Sequence, residues 1–492
     1  MRSCQEPDRL EGSGQLAGKR GADSRATSLK QDGGAHQTRS PVTLPSFPAR
    51  VRCLSSLSDP LVSGTRRGLF KDVFPAESAE LHLQELLSSG PQTVYCGFDP
   101  TADSLHVGNL LAVLGLLHFH RAGHHVIAVV GGATAQIGDP SGRHQERAPL
   151  SPEQLAENVR GIRDSLHRIF SNHEGPVRAG GRVTVLDNAA WYRQRSAVDF
   201  LASVGRHFRM GTLLSRHSVQ SRLSSAEGMS LAEFTYQVFQ AYDFYYLQQK
   251  HGCKIQLGGT DQLGNLMSGH DFIQRTTGED VFGILLPLIT STTGDKLGKS
   301  AGNAVWLNRE RTSPFEFYQY FVRQQDGNVE RFLKLFTFLP LPEIAHIMEQ
   351  HAKEPEKRIP QKRLAAEVTK LVHGKEGLES AKRCTQALYH SSIDALAAMS
   401  DQELQELFQG APFAEFLLEP GTRVLDACLK VSAIPEGVRG FDILSGGGVS
   451  FNHMRVTNPD EVLVVGQHIL SNGLSLIKVG KKNVYVVKWL SL

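Results

Sequence analysis

The chain has little that would staple it together or anchor it. Its six cysteines, Cys4, Cys53, Cys96, Cys253, Cys384 and Cys428, are scattered and never form a C-x-x-C pair. That argues against a zinc site and a disulfide framework, and it suits a reducing compartment. No metal-binding cluster is expected. Long hydrophobic runs are also missing. The longest apolar stretch, Leu110–Leu117, is far shorter than the roughly 20 residues that cross a bilayer, so no membrane span is expected. Nor does charge of one sign dominate: 53 Lys and Arg face 50 Asp and Glu, a net charge of +3. Any basic surface for nucleic acid must come from local clustering. There are no internal repeats. The 492 residues leave room for two to four globular domains.

One absence is local. From Gly33 to Ser58 there is no Asp or Glu, while Arg39, Arg50 and Arg52 lie among Ser and Thr. An acid-poor, Arg- and Ser-bearing leader without apolar periodicity has the composition of an organelle transit peptide. Residues 1–58 are therefore expected to be a disordered leader that directs the chain to the mitochondrial matrix, and they take no part in the fold.

What is present begins with a strand–helix–strand pattern. "TVYCGF" (Thr93–Phe98) reads as a buried strand, "LHVGNLLAVLGLLHFHRAG" as a helix ending at Gly123, and "HVIAVV" (His125–Val130) as a second strand. Spacing of this kind makes a parallel sheet. "VTVLDN" (Val183–Asn188) and "KIQLGGTDQ" (Lys254–Gln262) read as further strands. Ligands bind at the carboxyl ends of such strands. Three polar loops fall there: Gly97-Phe98-Asp99, Gly138-Asp139 and Gly258 to Gln262. From about Ser313 to Gln409 the pattern is helical and charged, and from Gly421 short β-like stretches such as "VLVV" alternate with Gly-rich turns and a basic bias.

Two motifs carry chemistry. "TTGDKLGKS" (Thr292–Ser300) ends like a P-loop, but the position that should hold the first glycine is Thr293, and the stretch lies past the middle of the chain. What remains is Lys296-x-x-Lys299 on a Gly-bounded loop, either a solvated basic turn or a pair of ammonium groups that close over a polyphosphate. The second motif, His106-Val107-Gly108-Asn109, opens a helix, where free N–H groups and the helix dipole favour anions. Gly108 leaves the helix backbone bare for a flat base.

Together, His-x-Gly-x early and Lys-x-x-Lys-Ser late resemble the signature pair of class I aminoacyl-tRNA synthetases. The segments "YCGFDPTADSLHVGNL", "GGATAQIGDPSGR", "EFTYQVFQAYDF", "IQLGGTDQLGN" and "KLGKS", in that order, resemble the tyrosyl-tRNA synthetases of the bacterial and mitochondrial type. The resemblance implies an α/β Rossmann-like catalytic domain with a parallel sheet over residues 68–307. A helical anticodon-binding domain over 308–410 and a small α+β S4-like RNA-binding domain over 421–492 would follow. It implies a homodimer that uses L-tyrosine, ATP with Mg²⁺, and tRNA-Tyr. By matching positions, Tyr95 and Asp243 would hydrogen-bond the phenol of tyrosine. Asp139, Tyr236 and Gln240 would hold its ammonium, and Gln262 would lie near its carboxylate. Gly97, Asp99, Gly108 and Asp261 would line the nucleotide site. His106, Asn109, Lys296 and Lys299 would handle the phosphates, with Thr101 on the nucleotide side among the catalytic residues. Physical chemistry agrees: a phenol both donates and accepts, as a carboxylate–hydroxyl pair requires. Tyr236, Gln240 and Asp243 fall at i, i+4 and i+7, on one helical face.

Two departures stand out. Asn109 occupies a position where the family often has histidine, and Leu297-Gly298 replaces the Met-Ser of other class I members. The rival readings are a non-catalytic RNA-binding or splicing factor derived from such an enzyme, a P-loop NTPase, and a tryptophanyl-tRNA synthetase, which would not need the Tyr95/Asp243 pair.

Overall fold

The computed structural model describes residues 59–76, 79–143, 145–173, 180–289, 299–300, 303–389, 397–400, 403–404, 413–480 and 483–490. The leader, Lys296 and most of the Lys296–Ser300 loop lie outside these residues.

Apolar β-branched runs with polar ends build the first sheet. Its strands are β1 (Asp72–Phe74), β2 (Thr93–Phe98), β3 (His125–Val130), β4 (Val183–Asp187), β5 (Cys253–Gly259) and β6 (Phe282–Leu286). The order across the sheet is β1-β6-β5-β2-β3-β4. All neighbours are parallel except the edge pair β1–β6. The expected parallel sheet therefore carries one antiparallel edge. The chain leaves β2 towards β3 and β4 on one side, and β5 and β6 fill the other. This switch point opens a crevice at the carboxyl ends of β2 and β5.

Side chains alternate across the sheet with period two. Val94, Cys96 and Phe98 enter one core, whereas Tyr95 points into the other. Val126, Ala128 and Val130 of β3 follow the first set; Ile127 and Val129 follow the second. The first core holds α1 (Val107–Arg121) and α2 (Pro152–Asn172). The second holds α3 (Ala189–Tyr192), α4 (Leu231–His251) and α5 (Leu263–Thr277).

The first core does not stop at the sheet. It runs on into α6 (Pro314–Val322), α7 (Asp326–Phe336), α8 (Leu341–Lys353) and α9 (Ile359–Tyr389) through Phe317, Phe321, Phe336, Leu364 and Val368. α9 is broken at Gly374, whose φ of 76° suits only glycine. A β-carbon there would also press on Asn172 Oδ1 at 3.2 Å. The end of α2 ties these parts together. Asn172 Nδ2 donates to the carbonyls of Leu371 and Val372, and Arg168 Nη2 donates to that of Leu307.

A second sheet has the order β11-β10-β12-β13-β9. Its strands are β9 (Phe413–Leu417), β10 (Val449–Phe451), β11 (Met454–Val456), β12 (Leu474–Val479) and β13 (Asn483–Leu490). It packs with α10 (Val424–Lys430) and α11 (Val438–Ser445) around Phe451, Ile477 and Trp489. The "VLVV" stretch is not a strand: Val462 and Val465 make only isolated bridges, to Arg423 and Ile469. Phe315, Cys384 and Met399 meet Leu470, Leu474 and Val486 in a further cluster, so this sheet packs on the helical segment.

Cys96, Cys253, Cys384 and Cys428 are buried and form no disulfide. Among the described residues no helix is long and apolar enough to cross a membrane.

The closest backbone approach in the first core is at Gly161 of α2, where a β-carbon would lie 2.0 Å from the Asp103 carbonyl oxygen. A main-chain atom cannot swing aside. Gly161→Ala should therefore destabilise the protein by about 1–3 kcal/mol, the usual cost of overpacking, read as a lowered denaturation midpoint. An unchanged midpoint would show that α2 can slide on the 100–104 loop.

Candidate active site

The crevice at the ends of β2 and β5 gathers the residues expected from sequence, except those outside the described segments. The N-terminus of α1 comes first. His106 caps it, its Nδ1 accepting from the Gly108 N–H at 3.0 Å. The Asn109 side-chain oxygen accepts from the His106 N–H at 3.1 Å. Asn109 thus completes a reciprocal cap and keeps its amide N–H groups as donors, which suits the anion role expected there. The strand-like segment after the lysine loop is fixed to this cap. Val107 N donates to Val305 O and Leu307 N to Leu105 O. The Trp306 indole stands edge-on to the His106 ring at 6.3 Å. Lys299–Ser300 (β7) pairs with Asn303–Ala304 (β8) just before it. The main-chain bonds at Val107 and Leu307 thus set residues 303–307, far away in sequence, beside the His106 cap.

Gly97 is the only exposed residue of β2 and leaves bare backbone at the strand's end. Beyond it, Asp99 is half-buried against the start of the β3 loop. A β-carbon at Gly131 would lie 2.0 Å from Asp99 Oδ1, so only glycine fits. Asp99 accepts from Thr134 Oγ1 and from the Tyr236 hydroxyl, both at 2.8 Å. Thr101 is exposed in the following turn, its N–H bonded to the Asp99 carbonyl.

Asp139 accepts from Gln262 Nε2 at 2.7 Å, from Ser141 N at 3.0 Å and from Asn265 Nδ2 at 3.3 Å. Tyr236, expected to share an ammonium site with Asp139, donates to Asp99 and also feels the Asp139 charge, and the Gln262 amide turns onto Asp139. Asp261 folds over Gly259, where a β-carbon would meet its Oδ1 at 2.5 Å. The Gln240 side-chain oxygen is buried and has no partner.

Asp243 lies deepest. Three donors converge on it: Asn188 Nδ2 on Oδ2 at 3.0 Å, and Trp191 Nε1 and the Tyr192 hydroxyl on Oδ1, each at 2.8 Å. Asn188 also donates to Thr134 Oγ1 at 3.0 Å and accepts from Ala133 N at 2.7 Å. One chain of hydrogen bonds therefore runs Asp243–Asn188–Thr134–Asp99–Tyr236. Burial pushes Asp243 up to about 7 against the pull of its three donors, with Asp99 adding to the rise. Burial likewise raises Asp99 to about 6, opposed by Thr134 and then reinforced by Asp139. Beside Asp243 the Tyr95 hydroxyl is buried and unpartnered; burial, then the Asp243 charge, raises its pKa well above the phenol range.

The start of α4 is pinned by an ion pair with almost no exposure, Arg222 Nη2 to Glu233 Oε2 at 2.5 Å. Inside α4, Tyr236 and Asp243 are buried on the pocket side.

Sequence reading missed Asn188, Trp191 and Tyr192. A signal existed: "VTVLDN" was read as a strand, and its carboxyl end is where such sheets bind ligands. Arg143 and Arg147 follow just beyond the Gly138-Asp139 loop. Arg147 Nε and Nη1 are buried without partners, and its charge favours the ionised form of Asp99. Chemically, the crevice offers a buried hydroxyl–carboxylate pair at its floor, two more carboxylates midway with the charge of Arg143 and Arg147 near them, and a helix N-terminus.

Residues 87–390 match the family of class I tRNA synthetases (W and Y). The mitochondrial tyrosine–tRNA ligase of Homo sapiens is 68% identical over 439 residues, covering 88% of this chain and 92% of its own length. That of Drosophila melanogaster is 50% identical over 437 residues, covering 87% and 94%. Among solved structures, a C-terminally truncated mitochondrial tyrosyl-tRNA synthetase of Coccidioides posadasii superposes with a TM-score of 0.59. It is 35% identical and covers 66% of this chain and 91% of that one.

The raised carboxylates fix a pH dependence of stability. An Asp binds its proton near pH 3.9 when unfolded; folded, Asp243 binds it up to about 7. Its favourable contribution is full below the unfolded value and is lost as pH rises through the folded one. Stability without substrate should therefore fall between about pH 4 and 7 by up to about 1.4 kcal/mol per pH unit from this residue. Asp243→Asn should flatten that fall in denaturant titrations at several pH values. An undiminished slope would mean Asp243 is not the titrating group.

Proposed function

The chain belongs to the tyrosine–tRNA ligases, class I aminoacyl-tRNA synthetases, and from that premise we propose how its own residues carry out the reaction. The enzyme joins L-tyrosine to tRNA in two steps. A tyrosine carboxylate oxygen bonds to the α-phosphorus of ATP as the bond to the bridging oxygen breaks and pyrophosphate leaves. A terminal ribose hydroxyl of the tRNA then attacks the acyl carbon and AMP departs. The nucleophile belongs to the substrate, so the protein contributes positioning and electrostatic stabilisation.

The observation that carries the assignment is the unpartnered Tyr95 hydroxyl next to Asp243. A phenol entering there donates to the carboxylate and meets the hydroxyl, so both find partners. Phenylalanine would leave the Tyr95 hydroxyl buried without a partner and bring the carboxylate no further donor. Higher in the crevice, Asp139, Tyr236 and Gln240 receive the ammonium, with Asp99 adding negative charge through Tyr236, and Gln262 lies towards the substrate carboxylate. Gly97, Gly108 and Asp261 face the adenosine. Thr101, His106, Asn109, Lys296 and Lys299 face the phosphates, and Arg143 and Arg147 reach them from the β3 side. Magnesium enters on the ATP phosphates as part of that substrate. With these groups present, the reading as a non-catalytic RNA-binding factor loses its motive.

The helical segment over 308–410 would bind the anticodon arm, and the module over 421–492 would add phosphate contacts that position the tRNA without reading its sequence. Residues 1–58 would carry the chain into the mitochondrial matrix, in keeping with the mitochondrial names of its relatives. Between β4 and β5 the chain exposes Val198, Leu201, Met210, Leu223 and Leu231, with Val198 and Leu231 at 76% and 77% exposure. Exposed apolar side chains concentrated in one such stretch suit burial against a partner, here a second copy.

Two outcomes follow. Lys299→Ala should lower the rate of tyrosine-dependent ATP–pyrophosphate exchange on the order of 10²-fold. Tyrosine Kd without ATP should stay within about two-fold, well short of the 1.4 kcal/mol of a tenfold change, because the ammonium meets charge that builds only on the leaving pyrophosphate. Wild-type exchange would reduce the lysine to solvated surface. Leu231→Glu should turn a dimer into a monomer in sedimentation at micromolar concentration; a dimer that persists would place the interface elsewhere.

A further inference from the structure

Asn188, Trp191 and Tyr192 all donate to Asp243, but they are not equivalent. The indole N–H can only donate. The amide of Asn188 is locked in orientation, because its oxygen accepts from Ala133 N at 2.7 Å. Tyr192 has a choice. Its hydroxyl lies 2.8 Å from Asp243 Oδ1 and 2.9 Å from the carbonyl oxygen of Phe239, one turn earlier on α4. It has one proton for two acceptors. While Asp243 is ionised, the carboxylate is the stronger acceptor and takes that proton. Once Asp243 is protonated, Tyr192 can turn its proton to the Phe239 carbonyl and accept from the acid. Of the three donors, only Tyr192 can follow the charge of Asp243.

Its ring is fixed by packing on Phe239, Tyr242 and Phe200, with centroids 5.2, 5.7 and 6.0 Å away. The hydroxyl is thus held between its two acceptors. The other titratable groups that act on or feel Asp243 are Tyr95 from β2, Asp99 from the loop after it, and Tyr236 and Tyr242 from α4 itself. Asp99 is a carboxylate and opposes the ionisation that Tyr192 supports.

We propose that Tyr192 is a positioning residue for substrate selection: it keeps Asp243 charged near neutral pH and so sets the pH above which the enzyme prefers tyrosine over phenylalanine. This rests on the assignment of Asp243 as the reader of the phenol. A charged acceptor holds the phenol proton more strongly than a neutral acid does, so selectivity follows the ionised fraction.

The test uses the full chain and Tyr192→Phe, which keeps the ring packing, beside Asp243→Asn. Pyrophosphate exchange gives kcat/KM for tyrosine and for phenylalanine from about pH 6 to 8.5. Their ratio cancels pH effects on ATP and the lysines. In the unaltered enzyme the ratio should rise with pH and level off. In Tyr192→Phe the rise should move up by about one pH unit, leaving the ratio about three- to ten-fold lower near pH 7 and converging at the alkaline end, as expected for loss of one donor to a charged group. Asp243→Asn should give a low ratio that no longer changes with pH. If Tyr192→Phe superimposes on the unaltered profile, or is lowered equally at every pH, while Asp243→Asn collapses the ratio, Tyr192 is only packing and this inference fails alone. If Asp243→Asn leaves the ratio intact, the assignment of Asp243 fails, and this inference with it.

Discussion

Holding a carboxylate out of water while keeping it able to ionise is the constraint on which the rest of the pocket depends. A lone buried charge costs several kcal/mol or more. At Asp243 that cost is offset by the amide, indole and hydroxyl donors of Asn188, Trp191 and Tyr192. Each of those donors must itself be fixed. Asn188 is held by Ala133 and Thr134, and Thr134 in turn serves Asp99. The loops after β2, β3 and β4 are therefore bound into one polar network, and α4 closes it. Fully satisfied networks of this kind specify a single arrangement. The Tyr95 hydroxyl and the Gln240 oxygen stay without partners beside this network, as groups that a ligand's own polar atoms would satisfy.

The sheet order supplies the geometry. Because β2 lies between β5 and β3, its carboxyl end is flanked by the ends of both, and Asp99, Asp139 and Asp261 come from three different loops. The segment after the lysine loop returns beside the α1 cap through main-chain bonds at Val107 and Leu307. Backbone pairing does not depend on side-chain identity, so it fixes Val305 to Leu307 at the helix N-terminus whatever side chains the segment carries. Arg168 holds Leu307 from α2 through its carbonyl, which couples the α1 end of the crevice to the core shared with the helical segment.

Much of this was legible in the sequence. β2, β3 and β5 could be read because parallel strands buried on both faces are near-continuous apolar runs, and α4 because its polar residues recur at helical spacing within an apolar stretch. The edge strand β1 was not legible, since three residues with a polar start give no period. "VLVV" misled because apolar β-branched runs also occur in loops that pack by isolated bridges. Asn109 stands in the sequence as a departure from a histidine motif; its second task, accepting from the His106 N–H, is a matter of cap geometry.

What the sequence determined by itself was the inventory: which groups could donate, accept or carry charge, and roughly which helix face or strand end each would occupy, because periodicity and turn chemistry act over a few residues. What the tertiary structure decided was partnership. That Tyr236 bonds Asp99 rather than Asp139, that Gln262 turns onto Asp139, and that Asn188, Trp191 and Tyr192 surround an aspartate more than fifty residues further along are choices among acceptors within reach. Burial settles them. Removing water makes each unpaired polar group expensive, so the arrangement that survives is the one in which the enclosed donors and acceptors satisfy one another, and no local pattern in the chain encodes which ones will meet.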